Sequence, residues 1–302
     1  MDGQQVARFV ETLLMAATIL LLVWVGVPEA APWRVAARSA WATLRNGRRA
    51  VYVLACCSIL LANYLYLQLG VDERFTAKVI AARGRDFTGD IHALEGGLVA
   101  GLQQTLESAA LTWFLGFVYV VVFPSLVFVL LFVFDHLGHR RGLAMVIVGY
   151  LANYLLVLPF YLWMPVREAY HYYRHDLGSA GVRLMLDDIH PVVMKAYRAM
   201  SGLDNCFPSF HTSLGLTMAL LAWHTGRRGF AAVFTFFAAA NALSTLYLGI
   251  HWLADVVAGV VVGVIAYALA LLLSRRWANQ LVTRQASSVT PPAQPDEEPL
   301  CQ

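Results

Sequence analysis

The sequence predicts an all-α integral membrane protein with about seven transmembrane helices, and three observations carry that expectation. Hydrophobic residues make up 59% of the 302 positions and charged residues only 14%, a balance far from that of a water-soluble domain. The apolar residues gather into runs of spanning length, close to the ~20 residues that a ~30 Å hydrocarbon layer demands. The basic residues concentrate in alternate connections, as they do in helical membrane proteins. Helices rather than barrel strands follow, because the runs lack strand-like alternation and lipid leaves no partner for an open backbone.

The runs are taken in chain order. The first, 9–27, resembles a signal peptide in position only, since Asp2 and Glu11 spoil a basic leader and no small-residue cleavage site precedes Pro28; a retained helix is expected. The basic connection 28–49 leads to a second run, 50–69, and then to a long loop, 70–110. Runs at 111–134 and 142–165 flank the short basic turn 139–141. A second long loop, 166–207, carries the aromatic and basic patch Tyr170 to His175 and ends Asp204-Asn205-Cys206-Phe207. Loops of this length in a compact bundle are usually functional. Runs at 209–223, 230–248 and 252–273 close the membrane part, the first of them being the shortest. The final stretch from Gln285 is polar and proline-rich, the composition of a disordered tail. The expected organisation is an N-terminal helix and loop over 1–49, a membrane domain over 50–276 and a tail over 277–302.

Orientation follows from charge. The loops 28–49, 139–141, 224–229 and the segment after 273 hold 12 of the 22 Lys and Arg residues. In the loops 70–110 and 166–207, eleven acidic residues offset nine basic ones. Counting spans puts the first set on one side, which the positive-inside rule makes cytoplasmic, and both long loops on the extracytoplasmic side. The net charge of +3 is explained by the inner loops, and no nucleic-acid partner is expected. The four cysteines show no metal spacing; Cys56 and Cys57 lie within a run, Cys301 lies in the tail, and Cys206 reads as packing.

Two segments carry chemistry. Pro208-Ser209-Phe210-His211 and the stretch from Ser244 to Asp255 (STLYLGIHWLAD) bring two histidines and a carboxylate to the ends of apolar runs. His251 and Asp255 are four apart, so on a helix they share a face, and the carboxylate can hold the imidazole in one tautomer. An oriented imidazole is a nucleophile. A metal site of two histidines and one carboxylate is the alternative use of the same three residues.

These motifs resemble the second and third signature blocks of the type 2 phosphatidic acid phosphatase (PAP2) superfamily. The resemblance covers roughly 166–273 and implies a six-helix bundle formed by the last six helices. In that family the histidine matching His251 takes the phosphoryl group, the aspartate matching Asp255 orients it, and the histidine matching His211 protonates the leaving oxygen. The resemblance implies a lipid phosphate substrate within membrane lipids, no cofactor and no metal. The chain departs from the pattern at Thr245, where the family has arginine, at Phe210, where it has glycine, and in its first block, where Arg167 and Arg174 keep the spacing but His175 replaces proline. The bulky residue and degenerate first block resemble the inositol phosphorylceramide synthase branch.

A phosphoryl group in transfer needs fixed cations and N–H donors. With Thr245 neutral, the expected substrate-binding groups are Arg167, Arg174 and Lys195 of the loop, with Asn205, Ser209 and Thr212 at the start of the following helix; Ser209 and Thr212 also suit a helix cap. The expected activity is that of a lipid phosphate or pyrophosphate phosphatase working through a phosphohistidine on the extracytoplasmic face. Headgroup transfer by the same intermediate is the alternative. A non-catalytic lipid-binding relative is the third reading.

Overall fold

A computed structural model describes residues 3–45, 86–191 and 204–286, with single positions between 77 and 82 and between 193 and 197; side chains are described from Phe9 to Arg275 within these limits. The expected second span, 50–69, and the residues Lys195, Cys56, Cys57 and Cys301 lie outside the described residues.

The described residues are helical, with no strand among them. Helix α1 (Gly3–Gly26) is followed by α2 (Pro32–Arg45), α3 (Thr88–Glu95) and α4 (Leu98–Leu106). Helix α5 (Ala109–Phe117) runs through a π turn (Val118–Val122) into α6 (Phe123–His136). Then come α7 (Arg140–Trp163), α8 (Ala169–His175), α9 (Phe210–Ala222), α10 (Arg228–Tyr247) and α11 (Leu253–Ala286). Helix α11 continues ten residues into the segment expected to be tail.

Five helical stretches are long and apolar enough to cross a membrane: Phe9–Gly26, Ala109–His136, Arg140–Trp163, Arg228–Tyr247 and Leu253–Arg275. The chain is a multi-pass membrane protein. Helix α9, with 13 residues, is about 20 Å long, shorter than the hydrocarbon layer. It runs from the cap end of the bundle towards the opposite end wrapped by α6, α7, α10 and α11 and buries nine of its residues, so its polar side chains meet protein rather than lipid. Asn153 Nδ2 donates to Thr217 Oγ1 at 2.9 Å, and Thr217 Oγ1 donates to the Gly263 carbonyl at 3.0 Å, tying α7, α9 and α11 together.

The contact between α9 and α11 is made by small residues. A Cβ at Gly259 would lie 2.7 Å from the Ser209 carbonyl oxygen, and one at Gly263 would lie 2.7 Å from that of Ser213. Two glycines four apart on one face let the helices approach at backbone distance, as small-residue contacts do in membranes.

Two apolar cores result. The bundle core runs through Val23, Val129, Leu130, Met145, Met218 and Phe234. A second core lies at the end of the bundle where α9 and α11 begin, and it holds Tyr119, Tyr170, Tyr173, Leu186, Tyr247 and Trp252. This cap is built from α3, α4, α8 and the loops around them. At the opposite end, Arg227 pairs with Glu29, and Arg141 Nη2 donates to the Leu271 carbonyl at 3.2 Å.

Candidate active site

Helix α10 ends on the sequence Leu248-Gly249-Ile250-His251. Gly249 takes φ +80°, the left-handed conformation that glycine adopts without strain. Its N–H donates to the Leu246 carbonyl at 3.0 Å and that of Ile250 to the Thr245 carbonyl at 3.1 Å, a Schellman closure. The His251 N–H also donates to the Thr245 carbonyl, at 2.9 Å. Thr245 is therefore the residue beneath the turn that presents His251, with its own hydroxyl bound to the Ala242 carbonyl at 2.8 Å.

Helix α11 starts immediately afterwards, so His251 and Asp255 straddle its first turn. His251 Nδ1 lies 3.1 Å from Asp255 Oδ2, which also accepts the Trp252 N–H at 2.9 Å. This is half of a capping box, with the acid at N3 reaching back to the N-cap amide. His251 is 4% exposed and Asp255 fully buried. Asp255 Oδ1 is buried and has no hydrogen-bond partner among the described residues.

His211 enters from the first turn of α9, its ring centroid 6.0 Å from that of His251. It stacks on Tyr119 at 4.3 Å and leans on Phe123 at 4.5 Å, both on the α5–α6 span. The π turn between them precedes Pro124, whose missing N–H and ring displace the regular ladder. Asn241 Nδ2 on α10 donates to the His211 carbonyl at 2.9 Å. The Ser209 N–H donates to the Asp255 carbonyl at 3.0 Å, locking the two motif segments to each other.

The other expected site residues are distributed as follows. Ser209 is the N-cap of α9: its Oγ accepts from the Thr212 N–H at 3.3 Å and from the Thr212 hydroxyl at 3.2 Å. Asn205 pairs its backbone with Val166 in a bridge that lies across the base of the cap. The Arg167 guanidinium is held by Asp176, at 2.8 and 2.6 Å, and by Asp86. Arg174 lines a cavity of about 420 Å³ with Tyr170, Ser179, Arg183 and Asp187. Arg183 pairs with Glu107 at 2.7 Å.

Cys206 Sγ, a ring nitrogen of His251 and a carboxylate oxygen of Asp255 come within 4.8 Å of one another, all on buried residues. Burial pushes the Cys206 thiol well above its ordinary pKa, with nearby carboxylates acting in the same direction. Its hydrogen is directed to the Ile250 carbonyl at 3.6 Å.

Sequence reasoning had not singled out Tyr119, Phe123, Asn241 or Glu95. Tyr119 and Phe123 sit in an unbroken apolar run that hides them. Asn241, an amide in an apolar span, was a visible signal. The turn Gly249 to Trp252 is also gripped by the loop that follows α7 and by the first residues of α8. Tyr170 N–H donates to the Gly249 carbonyl at 2.8 Å, Ala169 N–H to that of Ile250 at 3.2 Å, and Trp252 Nε1 to that of Arg167 at 2.9 Å.

A family model described as PAP2 superfamily matches residues 91–269, more than half of the chain, and that stretch contains His211, His251 and Asp255. No curated protein and no solved structure gives a significant match.

Proposed function

Because the chain belongs to the PAP2 superfamily, we propose that it transfers a phosphoryl group from a lipid phosphate through a phosphohistidine on His251, most simply to water. Superfamily membership supports a phosphatase- or phosphotransferase-type enzyme of lipid phosphates in general. The observation that carries the finer reading is the pairing of His251 Nδ1 with Asp255 Oδ2 at 3.1 Å, with the His211 ring 6.0 Å away. With Nδ1–H held by the carboxylate, Nε2 keeps its lone pair for attack on phosphorus. Asp255 stabilises the cation that forms as the N–P bond is made, without itself taking the proton. His211 gives a proton to the leaving oxygen and takes one from the acceptor in the second step.

The charge that balances the phosphoryl group is assigned to the loop cations Arg167, Arg174 and Lys195, with Asn205, Ser209 and Thr212 shaping the α9 N-terminus, where the helix dipole favours an anion. Arg167 already faces two carboxylates, Asp86 and Asp176, which offset part of its charge. No metal or cofactor enters the scheme.

Headgroup transfer is the second reading, and one observation favours it. His251 is only 4% exposed beneath the cap, a position in which a bound alcohol competes well against bulk water for the phosphohistidine. The test is to present the purified protein with a radiolabelled lipid phosphate, with and without polyol acceptors. Acid-labile label on the wild type and none on His251→Ala is the expected result. Release of inorganic phosphate favours hydrolysis, a new labelled lipid favours transfer, and label that persists in His251→Ala overturns the nucleophile assignment.

A further inference from the structure

The first turn of α11 is closed from outside the motif. Glu95, the last residue of α3, accepts the Leu253 N–H on Oε2 at 2.8 Å and the Ala254 N–H on Oε1. Asp255 Oδ2 takes the Trp252 N–H at 2.9 Å. Three consecutive amides at the head of α11 are thus held by two carboxylates, one local and one contributed by a helix 158 residues earlier. Leading N–H groups of a helix have no partner within it, and unheld they fray. Fraying at this point moves the backbone that sets Asp255 against His251.

The local sequence offers no substitute. The N-cap position is Trp252, whose indole cannot accept a hydrogen bond, so the Ser, Thr or Asp that ordinarily caps a helix is missing. Trp252 is itself fixed by aromatic packing: the His92 ring, one turn before Glu95 on α3, lies 5.7 Å away, and Tyr172 and Tyr173 lie at 5.9 and 6.2 Å. Helix α3 therefore delivers both the ring that seats Trp252 and the carboxylate that caps the helix after it. Burial raises the Glu95 carboxyl above its ordinary pKa while the two amide bonds pull it down. The cap maintains this half-buried acid despite its desolvation.

We infer that Glu95 is a positioning residue for phosphoryl transfer: acting through the Leu253 and Ala254 amides, it holds Asp255 in the geometry that orients His251. This rests on the nucleophile reading above. It also means that the α11 N-terminus is already occupied by an anion of the protein's own, so the substrate's phosphoryl group is bound by other donors.

A double-mutant cycle on the rate of phosphohistidine formation, measured by rapid quench with a radiolabelled lipid phosphate, tests the inference. Glu95→Gln keeps one acceptor oxygen and turns an NH₂ toward the other amide. It is expected to slow phosphoenzyme formation about tenfold with KM changed less than about twofold. In an Asp255→Asn background the same change is expected to cost less than about twofold more, because the residue it acts through is already disabled. Equal losses in both backgrounds, or a loss confined to KM, overturn the inference and leave the nucleophile reading intact. Absence of label in the wild type overturns both. Should Glu95→Gln fail to fold, Glu95→Asp, with the carboxylate one methylene short, goes through the same cycle with the same expected non-additivity and the same overturning result.

Discussion

The bundle and the cap solve the same problem with different chemistry. In the bundle each helix satisfies its own backbone, as lipid requires, and helices meet through aliphatic side chains and the small residues of α9 and α11. In the cap the chain is broken into short helices and loops, and side chains hold the backbone groups that no regular ladder takes. Gln103 is the clearest case: its Nε2 donates to the Arg183 carbonyl at 2.7 Å and the Tyr247 carbonyl at 2.9 Å, while its Oε1 accepts the Arg183 N–H at 3.0 Å. The cap's core is correspondingly richer in tyrosine and tryptophan, which pack like apolar groups yet carry a polar tip. The site lies at the seam, with His211 and Asp255 on bundle helices and the His251 turn gripped by the cap. Rigidity comes from the bundle and enclosure from the cap.

The largest expected effects lie at the seam. Asp255→Asn is expected to lower kcat by about 10²-fold or more while leaving residual turnover, since the orienting group makes no bond to phosphorus. His211→Ala is expected to lose about 10²-fold or more on a lipid alkoxide leaving group, and far less on an activated aryl phosphate that needs no proton. Equal losses of His211→Ala on both substrates would remove the acid from the scheme.

Next come changes that separate the two regions. Gly263→Val forces a side chain into the Ser213 carbonyl and is expected to lower stability by about 1–3 kcal/mol, with melting and activity falling together. Gln103→Ala leaves cap backbone groups unpartnered at a similar cost, about 1–3 kcal/mol. Its expected signature is different: limited proteolysis in the cap and loss of activity below the temperature at which the bundle melts. A single coincident transition for Gln103→Ala would mean that the two cores fold as one unit.

A smaller effect is expected in the pH dependence of stability. The Glu95 carboxyl is raised from its usual 4.5 by burial, against the pull of two amides, with Asp255, His92 and Tyr173 facing it. A folded-state pKa above the unfolded one means that the native state binds the proton more tightly. Its contribution therefore falls as pH rises from the usual value through the folded one, and is fully present only below. The Tm of Glu95→Gln relative to wild type is expected to climb over that interval and then level off. A difference that falls with pH would reverse the sign of the burial effect.

The side of the membrane is tested with no energetic change at all. In a cysteine-free background, Ser179→Cys on the cap is expected to react with an impermeant thiol reagent on intact cells, and Gly229→Cys at the opposite end only after the membrane is opened. The reverse pattern would place the cap in the cytoplasm.

The membrane spans at Phe9–Gly26, Ala109–His136, Arg140–Trp163, Arg228–Tyr247 and Leu253–Arg275 were legible because hydropathy is a local property that lipid reads directly. The pairing of His251 with Asp255 was legible because a spacing of four keeps the two side chains within reach, although His251 stands one residue before the N-cap rather than on the helix face that the spacing predicts. The tertiary structure alone decided what surrounds them. Helix α9, read as the shortest span, is buried on all sides because four neighbouring helices cover it. Arg167 meets Asp86 and Asp176, partners 81 and 9 residues away. Tyr119 reaches His211, and Glu95 reaches the head of α11, across about 90 and 160 residues. Local periodicity encodes elements and pairs within a turn, whereas the partners of a buried charge depend on which elements pack together. That packing is decided by the whole chain at once.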